Sequence, residues 1–130
     1  MLRRPLTVIA LALSLLSAAG YLRASGQAAG APPGSSGVAL SGEVLDMACY
    51  IQSGGKGEMH KACAAKCAKM GQPVGLLSSD GRLYLLVADH VDGGPYERAR
   101  ALAGEQVTIK GEVAEKDGVS ALTVHDVRKR

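Results

Sequence analysis

The chain contains no tryptophan and no phenylalanine, and only four tyrosines among its 130 residues. Any core must therefore be built from Val, Leu, Ile and Ala, and no aromatic platform for stacking bases can be assembled. Charge of one sign is also scarce. The formal net charge of +3 comes from Arg3, Arg4 and Arg23; from Ser25 onward twelve Lys and Arg face twelve Asp and Glu. A domain with no net positive charge and no stacking aromatics argues against nucleic acid as a partner. The basic end Arg128-Lys129-Arg130 reads as a solvated tail. Cysteine is limited to three residues. With no Cys-x-x-Cys and no Cys-x-x-Cys-His among them, the usual dithiol-oxidoreductase and covalent-haem signatures are missing. There is also no Ser-His-Asp order, phosphate-cradling glycine loop or convincing carboxylate pair, which weighs against a hydrolase or nucleotide enzyme.

What is present begins with a leader. Met1-Leu2-Arg3-Arg4 is a positive start, Leu6 to Leu16 is an apolar run, and Ser17-Ala18-Ala19-Gly20 supplies small residues. Residues 1–24 thus read as a signal peptide or, counted through Tyr21-Leu22, as an N-terminal membrane anchor. Both place the domain outside the cytoplasm, in the periplasm or extracellular space; a membrane is involved only if the leader stays uncleaved. Residues 25–37, rich in Gly, Ala, Ser and Pro, read as a flexible linker.

Residues 38–130 carry strand and turn signals. Residues 38–47 form a strand candidate with Gly42 at a bulge or sharply coiled point. Residues 49–58 read as a glycine loop and residues 58–70 as an alanine-rich helix ending before Gly71. Residues 73–77 and 82–88 make a hairpin across Asp80-Gly81, and residues 95–103 a short helix. Residues 106–113 and 119–127 make a second hairpin across Asp117-Gly118. A mainly β chain of five strands, with one helix after strand 1 and another between strands 3 and 4, is the order of an OB-like barrel. Glu43 and Asp46 alternate with the apolar face of strand 1 and read as solvated.

Chemistry concentrates between Cys49 and Met70. At about 100° per residue, His60, Cys63, Cys67 and Met70 share one helix face, and the glycine loop can bring Cys49 to it. Three readings follow. Cys49, His60, Cys63 and Cys67 are four metal ligands of zinc type, and the thiols, with Met59 and Met70 as additional soft donors, suit a copper ion equally. Alternatively, Cys49 forms a disulfide with Cys63 or Cys67, leaving one free thiol in a structural or protein-interaction domain whose partner is another exported protein. In the third reading a thiol activated by His60 or a lysine does redox work. His90 and His125 read as lone polar residues.

The segments Gly42 to Tyr50 (GEVLDMACY), Gly57 to Leu77 (GEMHKACAAKCAKMGQPVGLL) and Asp80 to Leu86 (DGRLYLL) resemble a group of uncharacterised exported bacterial proteins. These carry a Cys-Tyr after the first strand, a His-x-x-Cys-Ala-x-x-Cys helix and a Gly-x-Pro-Val-Gly-Leu-Leu strand. The resemblance spans about residues 38–127. It implies an exported OB-like domain with Cys49, His60, Cys63 and Cys67 as its characteristic residues, and it implies no activity.

Overall fold

A computed structural model describes residues 37–130. The leader at 1–24 and nearly all of the linker at 25–37 lie outside the described residues. The elements run β1 (Val38–Asp46), α1 (Met47–Ser53), a 3-10 turn (Glu58–His60), α2 (Lys61–Lys69), β2 (Val74–Ser78), β3 (Leu83–Ala88), α3 (Gly94–Ala101), β4 (Gln106–Lys116) and β5 (Val119–Lys129). The strands close into a barrel in the order β1-β2-β3-β5-β4. All pairs are antiparallel except β3 with β5, which is parallel. This is the five-stranded OB-like arrangement expected from the element order.

Closure depends on β1 serving two neighbours. Its first part pairs with β4 from Val38 to Glu43, and its second part with β2 from Gly42 to Asp46. Gly42 and Glu43 therefore pair on both edges, where the strand coils from one neighbour to the next. A Cβ at Gly42 would stand 2.1 Å from the Leu77 carbonyl oxygen. The same device recurs in β4. Its register with β5 shifts between Lys110 and Gly111, and a Cβ at Gly111 would stand 1.9 Å from the Thr123 carbonyl oxygen. Glycine is required at these two corners because the neighbouring backbone occupies the side chain's place.

The interior is aliphatic, as the composition demands. Val44, Val74, Leu76, Leu86, Val107, Ile109, Leu122 and Val124 fill it, with Tyr84 as its one buried aromatic among the described residues. Ala64 and Ala68 of α2 and Ala99 of α3 join this cluster. Their short side chains let both helices lie close to the barrel, and the two helices are in contact with each other. No described helix is long and apolar enough to cross a membrane.

Two expectations for this region change. Residues 47–53 are helical rather than part of a strand and loop: Asp46 caps their first turn, and Gly54, at φ 72°, ends the helix. Glu43 and Asp46 are not solvated; they are 8 % and 0 % exposed. Alternation along a strand places a residue on a face, but it is blind to a later segment folding back over that face. The Glu43 carboxylate accepts a hydrogen bond from the Gly57 amide at 2.7 Å, so the returning glycine loop covers it.

Replacing Gly111 by Ala is expected to lower stability by about 2–4 kcal/mol, because the new methyl meets fixed backbone. Gly118→Ala, at φ 82° in open space, is expected to cost about 1 kcal/mol through backbone strain alone. Urea denaturation midpoints measure both, and equal losses would refute this account of the barrel corner.

Candidate metal centre

The centre is assembled where β1 ends. Asp46 leaves the strand in extended conformation and its carboxylate accepts from the backbone N–H of Ala48 at 3.1 Å and of Cys49 at 3.3 Å. A side-chain cap of this kind satisfies amides that have no partner within the helix. It fixes Cys49 in the first turn of α1, directly beside the barrel.

The partner helix supplies the rest. On α2, Ala64 and Ala68 face the core, and Cys63 and Cys67 each precede one of them by about 100°. The cysteine stripe is thereby held at the shoulder of the buried stripe. Lys66 and Lys69 remain exposed. The start of α2 is tied to the barrel by Lys61, whose ammonium stands 3.0 Å from a Glu105 carboxylate oxygen. Lys129 stands 2.9 Å from the other oxygen. Glu105 is held below the usual carboxylate range by Lys129 and Lys61, and Lys61 is raised by Glu105.

This framework brings the Sγ atoms of Cys49, Cys63 and Cys67 within 4.8 Å of one another. The expected convergence of three sulfurs from two segments is therefore present. A second group overlaps it: one donor atom each from Asp46, Cys49 and His60 also lies within 4.8 Å of the others. The donors thus fall into two triads that share Cys49. His60 ends the 3-10 turn and begins α2, so it does not simply continue the α-helical cysteine stripe. Its Nε2 is buried and has no hydrogen-bond partner. The ring lies against the backbone of Gly55, where a Cβ would come within 2.7 Å of both Cε1 and Nε2.

The disulfide expected as an alternative is not formed. All three cysteines are free and none stands at bonding distance from another. A disulfide needs two sulfurs about 2.05 Å apart with a fixed dihedral; here α1 and α2 aim three at a common point, and any one bond would leave the third aside. Met59 and Met70, expected as additional soft ligands, stand in solvent at 102 % and 64 % exposure. His125 Nε2 stands 3.2 Å from an Asp89 carboxylate oxygen, on β5 and outside both donor triads.

Two of the thiols, Cys49 and Cys67, are not activated in the way a nucleophile requires. Cys49 is pushed up to about 12, first by its interaction with the Asp46 carboxylate, then by burial and by the sulfurs of Cys67 and Cys63. Burial raises Cys67 as well. A thiolate placed beside a carboxylate and two other sulfurs is repelled unless a cation arrives, whereas reactive cysteines sit in electropositive surroundings. Compared with protein-family models, curated proteins and solved structures, the chain shows no match.

The sign of the pH dependence follows. The Cys49 value is raised from an ordinary 9.0 in the folded chain, so folding favours the neutral thiol. That contribution is fully present below pH 9 and is lost as pH rises from about 9 towards 12. In the metal-free domain, Asp46→Asn, which retains a capping oxygen but removes the charge, is expected to flatten this loss and to speed alkylation of Cys49 near pH 9. Denaturation midpoints against pH, with mass-mapped alkylation, measure both; an unchanged profile would contradict Asp46 as the dominant cause.

Proposed function

We propose that this domain is an exported metal-binding module, periplasmic or extracellular, whose three thiolates hold one zinc or copper ion. The observation that carries the reading is the convergence of Cys49, Cys63 and Cys67 from two helices to within 4.8 Å. Sulfurs on a tetrahedral zinc, with Zn–S of ~2.3 Å, lie about 3.8 Å apart, so the trio needs to contract by at most about 1 Å. Thiolates suit zinc and copper(I) and are poor ligands for magnesium or calcium. A cation also offsets the negative charge of Asp46 that helps hold the proton on Cys49. The leader in the sequence, and the resemblance to exported proteins, support delivery to an oxidising compartment. There a bound ion would protect three neighbouring thiols from oxidation.

Cys63 is the exposed member of the trio, and the other two are partly buried. The ion would therefore be reached from solvent through Cys63, in keeping with a protein that takes up or passes on metal. The donor for such an exchange would be another exported protein presenting soft ligands.

Purified without reductant, the protein is expected to carry bound metal in stoichiometric amount. After chelation under denaturing conditions it should yield three alkylatable thiols. Metal at one hundredfold above its dissociation constant should add about 2.7 kcal/mol, raising the melting temperature by about 10–20 °C for a domain of this size. Cys49→Ser should abolish that gain. One alkylatable thiol and no stabilisation by zinc or copper(I) would overturn the proposal.

A further inference from the structure

We propose that the centre holds two zinc ions bridged by the Cys49 thiolate, the second bound by Asp46 and His60. This deepens the metal-binding reading and rests on it. The first argument is geometric. Two donor triads exist and have only Cys49 in common. Thiolate sulfur keeps lone pairs after binding one cation and so can bridge two. The sulfur trio forms the outer set, since Cys63 is exposed. Asp46, fully buried, makes the other set the inner one.

The second argument is charge. Three thiolates and one carboxylate supply four negative charges. Among the described residues Asp46 takes part in no ion pair, and its carboxylate accepts from two amides of α1. A single dication in the sulfur trio would leave two of the four negative charges uncompensated, one of them on a carboxylate with no access to water. Two dications neutralise the set. Buried charge is tolerated when it is paired or coordinates a metal.

The third argument is the imidazole. Buried polar atoms in folded proteins are nearly always satisfied, and one that is not asks for an explanation. His60 Nε2 is such an atom. Its ring is fixed by the Gly55 contact, and Gly55 itself lies in a loop pinned at Gly57 by the Glu43 carboxylate. One nitrogen of this ring lies with a thiol and a carboxylate, Cys49 and Asp46, and that set has the composition of a borderline-metal site. Imidazole, carboxylate and thiolate together favour zinc over copper(I), so the inner set narrows the choice that the sulfur trio leaves open.

The test is metal stoichiometry by native mass spectrometry during titration of the full folded domain with zinc, with circular dichroism confirming the fold of each variant. The wild type is expected to bind two zinc ions. His60→Ala, Asp46→Asn, Cys63→Ser and Cys67→Ser are each expected to bind one, and Cys49→Ser none. Gly55→Ala removes no ligand and should also fall to one, because the added methyl displaces the His60 ring. One ion in the wild type overturns the bridged pair, whether His60→Ala keeps that ion or loses it. So does retention of two ions by His60→Ala. A parallel copper(I) titration separates the two claims. Copper bound without zinc overturns the inner zinc site and leaves the metal-binding reading standing; absence of both metals removes both.

Discussion

The carboxylate of Asp46 is the point on which the rest of the centre turns. It lies at the last position of β1, paired across from Val74, and at the cap of α1. By accepting from the amides of Ala48 and Cys49 it converts an extended chain into a helix within one residue. That turn fixes where the Cys49 sulfur points. The same carboxylate is the largest cause of the raised Cys49 thiol. One side chain thus sets both the geometry and the electrostatic character of the centre. The two effects oppose each other: the cap stabilises α1 by the ~1 kcal/mol usual for such a residue, while the buried negative charge discourages any thiolate nearby.

Precision on the opposite side comes from the barrel rather than from α2 itself. A nine-residue helix is too short to persist alone in water. Here Ala64 and Ala68 are sealed into the core, and the Lys61–Glu105–Lys129 chain ties the helix start to the residue just before β4 and the end of β5. Gly104 donates to the Val44 carbonyl and Val44 to the Glu105 carbonyl, so the link from α3 to β4 is stitched to β1 two residues before Asp46. Both helices that carry sulfur are therefore referenced to the same strand. Cysteines mounted on a closed barrel keep their separation without a covalent link, which is why the trio can converge while every thiol remains free.

Much of this was legible in the chain. Turn pairs such as Asp80-Gly81 and Asp117-Gly118, a helix between the third and fourth strands, and glycine inside two strands were enough to order a five-stranded barrel, because each has a local physical cause. The spacing of Cys63 and Cys67 placed both on one helix face for the same reason. What stayed hidden depended on chain folding back. Glu43 and Asp46 read as solvated because period-two alternation assigns a face without saying what later covers it. The helix at Met47–Ser53 was masked by the glycines after it, although Asp46 before Met-Ala-Cys and Gly54 eight residues later are a cap pair that could have revealed it. The phase of His60 was lost because a 3-10 turn winds differently from the helix it precedes.

Three anomalies among the described residues fall in one small region. A carboxylate is buried without a cation, a thiol is held far above its ordinary value, and an imidazole nitrogen has no partner. Elsewhere the described chain follows ordinary rules: the core is aliphatic and the ion pairs involve groups at least partly exposed. Random destabilisation would scatter such defects. Their concentration at Asp46, Cys49 and His60 sets this region apart from the locally consistent remainder of the described chain. A disulfide at Cys49 would remove the raised thiol, but it would neutralise neither the carboxylate nor the ring nitrogen. The frustration of the centre is therefore better evidence for metal than the cysteine count, which alone would have served either reading.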